Sequence, residues 1–270
     1  MPTRRWAEGE DEDDGRQPPA RCHTGECATK GQDHSRMGVI TVYGRMPVAE
    51  ALAMAEVSLV LVARTARGDT IDDIVRLAGE RGVPVKRVAP EKVTRVSGNG
   101  RHDQGVVAEV AAPGVQQLDG WLRNHEPNAL LVLDGVTNPQ NVGMIVRTVT
   151  AAGLDGVVLP DAGSPGVGPL VIKASAGVAF RATILAAPTT ADALALLDIP
   201  SVGLRADAPS LLDGSLPGRA AYVLGSEHHG VRVNCDEWRS LPMANGVESL
   251  NVAVTAGVVA YELVRARRPG

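Results

Sequence analysis

Short aliphatic and β-branched runs alternate with stretches of helical apolar spacing from Met37 onward. Short runs bounded by turn residues are typical of buried strands, and the alternation as a whole is typical of an α/β fold. In the first part of the chain this pattern predicts strands at 39–43, 59–62, 83–88 and 105–110 and helices at 48–56 and 70–80.

A second alternating block begins at Ala129, and a Gly/Pro-rich loop at 161–169 interrupts it. Its predicted strands are nearly continuous in apolar residues, so we expect a parallel sheet covered by helices on both faces. The expected strands lie at 129–133, 156–159, 199–204 and 222–224, and the expected helices at 141–152, 170–176 and 249–267.

Two folded domains follow from this pattern. Residues 37–112 form the first and residues 127–270 the second, joined by a linker at 113–126 that carries a helical piece at 118–123. The 270-residue chain, 44% hydrophobic, is long enough to bury a core in each domain. Residues 1–36 are rich in Gly, Pro and charge and lack apolar periodicity, so a disordered tail is expected there.

The net charge of -4 disfavours a nucleic-acid partner, because phosphate binding normally needs an excess of Lys and Arg. Between Val60 and His102, however, nine basic residues stand against five acidic ones, a local charge of +4. A basic binding surface and an ordinary solvated helix face explain such a stretch equally well.

Membrane, disulfide-rich and metal-binding classes are disfavoured. No apolar stretch reaches the roughly 18 residues of a membrane span, and the first residues lack the order of a secretory signal. Three scattered cysteines cannot form a disulfide framework, so we expect a cytoplasmic protein in a reducing compartment. Cys22, His23, Cys27 and His34 lack the paired short loops of a zinc finger, and no metal site is expected there.

Three polar clusters follow predicted strands in the second domain, where open α/β sheets place their ligand sites. The first, at 134–147, opens a helix, and Asn138 with Pro139 suits a simple N-cap and turn. That explanation leaves out Arg147, which lies six residues after Asn141, nearly two turns along the helix. The two side chains are therefore expected on broadly similar sides.

The second cluster, at 224–230, contains two glycines, which fit either a tight turn or a close approach of the backbone to a ligand. Its adjacent histidines do not converge easily on one ion, and the H-E-x-x-H helix of a zinc site is missing. The third cluster, at 241–252, leads into the terminal helix with Ser249 as the expected N-cap. Polar Asn251 at the start of this apolar helix suits a polar or anionic ligand.

The order of the three clusters and the residues in them resemble the motifs of the SpoU (TrmH-like) RNA 2′-O-ribose methyltransferases of the SPOUT superfamily. The resemblance is strongest over 134–153, 222–230 and 241–262. Residues 43–52, Tyr-Gly-Arg-Met-Pro-Val-Ala-Glu-Ala-Leu, and residues 102–106 resemble the small substrate-binding domain of the rRNA-modifying branch.

This resemblance implies a small N-terminal α/β substrate-binding domain, a C-terminal parallel-sheet SPOUT domain with a deep trefoil knot, and a homodimer. It also implies methyl transfer from S-adenosyl-L-methionine to a ribose 2′-hydroxyl, without a metal, and 23S rRNA is the expected substrate, for housekeeping or for antibiotic self-resistance. The alternatives are a tRNA methyltransferase and a non-catalytic knotted RNA-binding protein.

The resemblance further assigns residues to three roles. The catalytic and substrate-positioning places fall on Asn141, Arg147, Glu227, Ser249 and Asn251. The cofactor contacts fall on Leu224, Gly225, Leu241, Met243, Leu250 and Val252. The RNA contacts fall on Arg45, Arg101, His102 and Gln104.

Three positions depart from the family pattern: His228 and Asn245 stand where Gly is usual, and Asp103 interrupts a His-Gln pair. We expect these changes to affect substrate fit more than cofactor binding. The family assigns Arg147 the role of base, but a guanidinium is normally protonated. We therefore expect Arg147 to contact the neighbouring phosphate and polarise the hydroxyl, while the other polar motif residues fix the geometry.

A dinucleotide-dependent oxidoreductase is the main enzymatic alternative, since the chain is α/β and rich in glycine. The loop at 161–168 contains three glycines but lacks the G-x-G-x-x-G order directly between strand and helix. We therefore expect S-adenosylmethionine, and not NAD, to bind.

Overall fold

The computed structural model describes residues 38–267, which form two sheets and their covering helices. The predicted tail at 1–36, with its cysteines and histidines, lies outside the described residues. The strands are β1 (Val39–Tyr43), β2 (Val57–Ala63), β3 (Val85–Val88), β4 (Val106–Ala111), β5 (Val115–Gln117), β6 (Ala129–Asp134), β7 (Gly156–Pro160), β8 (Ile184–Ala187), β9 (Ser201–Leu204), β10 (Ala220–Gly225) and β11 (Glu237–Arg239). The helices are α1 (Arg45–Met54), α2 (Asp69–Glu80), α3 (Pro90–Ser97), α4 (Leu118–Leu122), α5 (Pro139–Ala151), α6 (Pro169–Ala174), α7 (Thr190–Leu196) and α8 (Val252–Arg267), with a 3-10 turn at Val178–Phe180.

The smaller sheet has the order β1-β4-β2-β3. Strands β1 and β2 run antiparallel to β4, and β3 runs parallel to β2. The carboxyl ends of β1, β2 and β3 therefore lie at one edge, together with the start of β4. The amphipathic helix α2 packs on this sheet through Ile71, Ile74 and Ala78, which recur at helical spacing and are fully buried.

The larger sheet has the order β11-β9-β10-β6-β7-β8-β5, and every strand pair in it is parallel. Strands β6 and β7 are buried throughout, as expected for a sheet covered on both faces. The predicted fold class, a small N-terminal α/β domain followed by a parallel-sheet domain, is confirmed. Because all its strands point the same way, the loops after β6, β9 and β10 lie at one edge.

Two segments contain more structure than the sequence pattern indicated. Strand β5 lies within the predicted linker and pairs with β8 at the edge of the larger sheet, while β8 and α7 occupy a stretch with no predicted element. These elements are three to seven residues long, too short to display a hydrophobic period. The unpredicted helix α3 buries only Val93 and ends at Gly98, which adopts the left-handed conformation at φ 64°.

Helix α5, which carries the first polar cluster, is held closely on two sides. A Cβ atom on Gly143 would lie 2.5 Å from the Val171 carbonyl oxygen and 2.6 Å from the Ala174 Cβ, so only glycine fits where α5 meets α6. On another side α8 approaches so that a Cβ on Gly257 would lie 3.9 Å from the Thr148 methyl carbon. This packing fixes α5 relative to α6 and α8.

The two sheets are joined by direct contacts between α1, β1 and the α6 region. The Lys173 ammonium lies 5.1 Å from the centre of the Tyr43 ring, and Arg181 approaches the Glu50 carboxylate at 3.6 Å. A Cβ on Gly177 would lie 2.3 Å from the Glu50 Cβ, so the backbone there packs directly on α1. No helix in residues 38–267 is long and apolar enough to cross a membrane.

Candidate functional site

The three polar clusters meet at the carboxyl edge of the larger sheet, where one side chain from each joins a hydrogen-bond network. The Asn141 amide nitrogen donates to Glu227 Oε1 at 3.1 Å. The Asn251 amide nitrogen donates to the same oxygen at 2.9 Å and to Asn141 Oδ1 at 3.1 Å. The structure therefore brings three of the five predicted catalytic residues into direct contact, although they are 24 to 110 positions apart in the chain.

The start of α5 follows the simple capping explanation. Asn138 Oδ1 accepts a hydrogen bond from the Gln140 amide at 2.9 Å, and Pro139 occupies the first helical position. Asn141 then lies in the first turn with only 5% of its surface exposed. A buried amide needs partners for both of its polar atoms, and the network supplies them.

Helix α8 begins at Val252, later than predicted, and its cap is Asn251 rather than Ser249. Asn251 Oδ1 accepts a hydrogen bond from the Ala253 amide at 2.9 Å, the contact that defines an N-cap. An amide side chain can cap with its oxygen while its nitrogen donates elsewhere. Asn251 uses both capacities, so the start of α8 and the network are set by the same residue.

The loop after β10 is a tight turn that is tied down at its far end. A Cβ on Gly225 would lie 1.9 Å from the Gly230 carbonyl carbon, so the turn itself requires this glycine. Buried Asp134 accepts a hydrogen bond from the Arg232 amide at 2.5 Å and lies 3.3 Å from the Arg232 guanidinium. The loop that presents Glu227 is therefore anchored to the end of β6.

A first cavity opens beside the network, and its walls include all six residues predicted to contact a cofactor. These residues are Leu224, Gly225, Leu241, Met243, Leu250 and Val252. Met243 and Leu250 remain 37% and 38% exposed, an apolar surface that a ligand would cover. The charged residues on the walls are Arg205, Glu227 and Glu248, which together carry a net charge of -1.

Ser249, predicted as a catalytic residue, lines this first cavity but makes no hydrogen bond with the Asn141–Glu227–Asn251 network in the described part of the chain. It is exposed on the segment that leads into α8. The structure thus puts Ser249 on the wall of the first cavity rather than within the network.

A second cavity lies against the network and shares Ser226, Glu227 and Val252 with the first. Asn141, the loop at 135–138 and His228 complete its walls. The two cavities are therefore neighbours that have the Glu227 carboxylate as a common wall, an arrangement that suits transfer of a group between two ligands.

Arg147 does not join this arrangement, and the expectation that it points to the same side as Asn141 is wrong. Asn141 is buried, whereas Arg147 is exposed and lines neither cavity. Six residues at 3.6 per turn correspond to about 600°, which leaves the two side chains roughly 120° apart around the helix. Arg147 instead shares the exposed face of α5 with Met144, which is 41% exposed.

Of the four predicted RNA-binding residues, Arg45 begins α1 and the other three lie in the loop before β4, all at one edge of the smaller sheet. Gln104 Oε1 accepts a hydrogen bond from the Arg45 amide at 2.9 Å, which joins this loop to the start of α1. Arg101, His102 and Gln104 are exposed. Asp103 is buried, and its carboxylate accepts hydrogen bonds from two hydroxyls of α3 and from a backbone amide, so this departure from the family pattern shapes the loop.

Several arginines of the +4 stretch gather at the same edge. Arg67 and Arg87 both reach the Ala66 carbonyl oxygen, at 2.8 and 3.4 Å, and a Cβ on Gly68 would lie 3.5 Å from the Arg45 guanidinium. Arg76, by contrast, pairs with acidic neighbours on the exposed face of α2. The stretch therefore combines a basic edge with an ordinary solvated helix face.

Sequence reasoning missed Arg205 and Glu248 on the walls of the first cavity. Arg205 directly follows β9, so the rule that ligand sites follow strand ends could have identified it. Its guanidinium lies 4.8 Å from the centre of the Trp238 ring and its Nε lies 3.0 Å from Asp207. No comparable signal distinguishes Glu248 from other exposed carboxylates.

Comparisons with known proteins agree with this geometry. The profile of the SpoU rRNA Methylase family matches residues 128–261, and that of the RNA 2'-O ribose methyltransferase substrate binding domain matches residues 41–116. The fold is similar to the crystal structure of the SpoU methyltransferase AviRb from Streptomyces viridochromogenes in complex with AdoMet, with a TM-score of 0.72, 22% identity, and coverage of 86% of this chain and 91% of that one.

Two relatives extend the similarity over most of the chain. The 23S rRNA (guanosine-2'-O-)-methyltransferase RlmB of Xylella fastidiosa is 38% identical over 221 residues, which cover 77% of this chain and 88% of the relative. An uncharacterized tRNA/rRNA methyltransferase of Mycolicibacterium gilvum is 35% identical over 243 residues, covering 84% of this chain and 76% of the relative. By its motifs, its fold and these relatives, the chain belongs to the SpoU methyltransferase family.

Proposed function

We propose that this chain is an RNA methyltransferase that transfers a methyl group from S-adenosylmethionine to a ribose 2′-hydroxyl of 23S rRNA. The observation that carries the proposal is the contact of Asn141, Glu227 and Asn251 at the wall shared by two cavities. The relative RlmB is a 23S rRNA guanosine-2'-O-methyltransferase, and the chain covers most of its length.

The walls of the first cavity fit S-adenosylmethionine. Its aliphatic side chains suit the flat adenine, and its net negative charge suits a ligand with a cationic sulfonium. When bound, the cofactor supplies an electrophilic methyl group on sulfur. The pyrophosphate of NAD would instead bring negative charge towards Glu227 and Glu248, which is unfavourable.

Within the network, Glu227 has one oxygen occupied and one available. Both amide donors, from Asn141 and Asn251, reach Oε1. We assign Oε2 to accept a hydrogen bond from the ribose 2′-hydroxyl and so to direct a lone pair of its oxygen towards the methyl carbon. The proton released when that oxygen is methylated would pass along this hydrogen bond to Oε2 and from there to solvent. Holding the hydroxyl in line supplies orientation, which accounts for much of the acceleration available to a methyl transfer.

The basic edge of the smaller sheet is the surface that we assign to RNA. Arg45 at the start of α1 lies there beside the loop that carries Arg101, His102 and Gln104, and Arg67 and Arg87 add positive charge. Clustered arginines bind phosphates and supply affinity that the acidic chain as a whole lacks. In this proposal residues 37–112 dock the RNA, residues 127–270 carry the chemistry, and 113–126 joins them.

A second copy of the chain would bring Arg147 to the site. Arg147 lies beside exposed Met144 on α5, and α8 adds Val254 and Tyr261, which are 52% and 54% exposed. An apolar face of this kind suits burial in a homodimer. We propose that Arg147 acts from this interface on the phosphate next to the target ribose and polarises the hydroxyl, a role that needs its planar fork.

The knotted path implied by the family is part of this proposal, and the insertion of β10 between β6 and β9 supports it. A ribosomal substrate would require the chain to act in the cytoplasm. A tRNA substrate remains the second candidate, because relatives such as the Mycolicibacterium protein carry the name tRNA/rRNA methyltransferase.

The proposal is tested by methylation of RNA from a strain that lacks the gene. We expect the purified chain to transfer a labelled methyl group to 23S rRNA, to create one site resistant to alkaline cleavage, and to bind S-adenosylmethionine but not NAD in calorimetry. Labelling of tRNA alone would favour the second candidate. Binding of NAD alone would contradict the assignment.

A further inference from the structure

We propose that the second cavity receives the target nucleotide and that the imidazole of His228 stacks on its base. This inference rests on the proposed function and adds to it a contact that decides how the base is held.

The second cavity lies where a methyl acceptor has to lie. The accepting oxygen must approach the methyl carbon in line and nearly in contact, so the acceptor must occupy space directly next to the donor. The second cavity meets this requirement because Ser226, Glu227 and Val252 belong to the walls of both cavities. Buried Asn141 also lines the second cavity, so the ribose of a nucleotide bound there would meet the polar network.

The wall residues of the second cavity have the chemistry that holds a base. Single-stranded bases in protein sites are held by stacking on a ring or a guanidinium plane and by hydrogen bonds to their edges. Among the described residues that line the two cavities, His228 is the only one with a ring. Thr137 and Asn138 face the same cavity, and the Asn138 oxygen is engaged by the Gln140 amide, which leaves the amide nitrogen for a base edge.

The adjacent histidine provides a matched control. His229 has the same chemistry and is also exposed, but it does not line either cavity. Its ring centre lies 6.5 Å from that of His228 at an angle of 65°, so the two rings face different directions. The hydrogen bond from this residue to Ser226 comes from its backbone amide and survives a change of side chain.

The experiment compares His228→Ala, His228→Phe and His229→Ala in the full chain. Each variant is titrated with S-adenosylmethionine in calorimetry, and its kcat and KM are measured on an rRNA fragment. Stacking is also measured without turnover, from the fluorescence of a fragment that carries 2-aminopurine at the mapped nucleotide.

We expect His228→Ala to weaken RNA binding by about 10-fold, the size of a lost contact between a base and a ring. The cofactor affinity should stay within about twofold, because the cofactor contacts lie on the other cavity. His228→Phe should restore RNA affinity and fluorescence quenching, since a second ring can stack without donating a hydrogen bond. His229→Ala should match the wild type.

Equal RNA affinity and equal quenching in His228→Ala and His229→Ala would overturn the inference while the wild type still methylates RNA. Failure of His228→Phe to restore either property would overturn the stacking role. A wild-type chain that neither binds S-adenosylmethionine nor methylates RNA would instead overturn the proposed function itself.

Discussion

Asn251→Asp separates the two roles of Asn251, the cap of α8 and the donation to Glu227. The new side chain keeps an oxygen to accept the Ala253 amide, so the cap is retained. It removes the amide donor and brings a second carboxylate to about the 2.9 Å at which that donor now meets Glu227. At this distance two unit charges repel by roughly 1.4 kcal/mol in a water-like dielectric, which is appropriate because both side chains are exposed.

We expect the melting temperature of Asn251→Asp to fall by roughly 5–15 °C. The repulsion adds to about 1–3 kcal/mol for the oxygen of buried Asn141, which loses its donor, and each kcal/mol lowers the melting temperature of a protein of this size by about 2–4 °C. The turnover should fall by about 100-fold or more, because the hydroxyl-orienting carboxylate loses a donor and gains a repelling charge. The affinity for S-adenosylmethionine should change little. Differential scanning fluorimetry, single-turnover methylation and calorimetry measure the three quantities.

The pH dependence supplies an independent check. Repulsion between the two carboxylates exists only while both are ionised, so protonation of either one removes it. The repulsion destabilises the folded state at neutral pH, where both groups are ionised, and this loss of stability is relieved as the pH falls and one group takes up a proton. The deficit in melting temperature should therefore shrink between pH 7 and pH 4. A deficit that grows in acid, or a variant that turns over like the wild type, would refute the reasoning.

Three further predictions concern Arg147, the oligomeric state and residues 1–36. Arg147→Ala should lower the single-turnover rate by about 100-fold or more while the affinity for the cofactor stays unchanged. Arg147→Lys should restore little of this rate, because lysine lacks the planar guanidinium. A normal rate with weakened cofactor binding would instead put Arg147 in the cofactor site. Light scattering at low micromolar concentration should give the molar mass of a dimer for the wild type and of a monomer for Met144→Glu or Val254→Glu. A monomeric wild type that still methylates RNA would refute the homodimer. Deletion of residues 1–36 should leave the methylation of a short RNA nearly unchanged. A loss of activity accompanied by a loss of bound zinc would contradict the expectation that these residues hold no metal site.

The sequence pattern predicted several elements closely. Strand β1 and the bounds of α2, β6 and β7 came within one residue, because short aliphatic and β-branched runs bounded by turn residues mark the strands and the buried face of α2 recurs at helical spacing. Strand β5 and helix α7 went unpredicted, since their few residues become ordered only against β8 and its neighbours. The cap of α8 was misassigned for a related reason: both Ser249 and Asn251 can cap a helix, and packing decided between them.

The sequence by itself determined the family, the fold class and the three clusters, because residue types at set intervals after strands carry that information locally. Only the tertiary structure decided which of those residues meet. Asn141 and Asn251 converge on Glu227 because parallel strands end at one edge and α5 packs in van der Waals contact with α8. Arg147 does not join them, because the helical repeat places it on the exposed face of α5. From there its side chain can contact only a molecule that docks on that face.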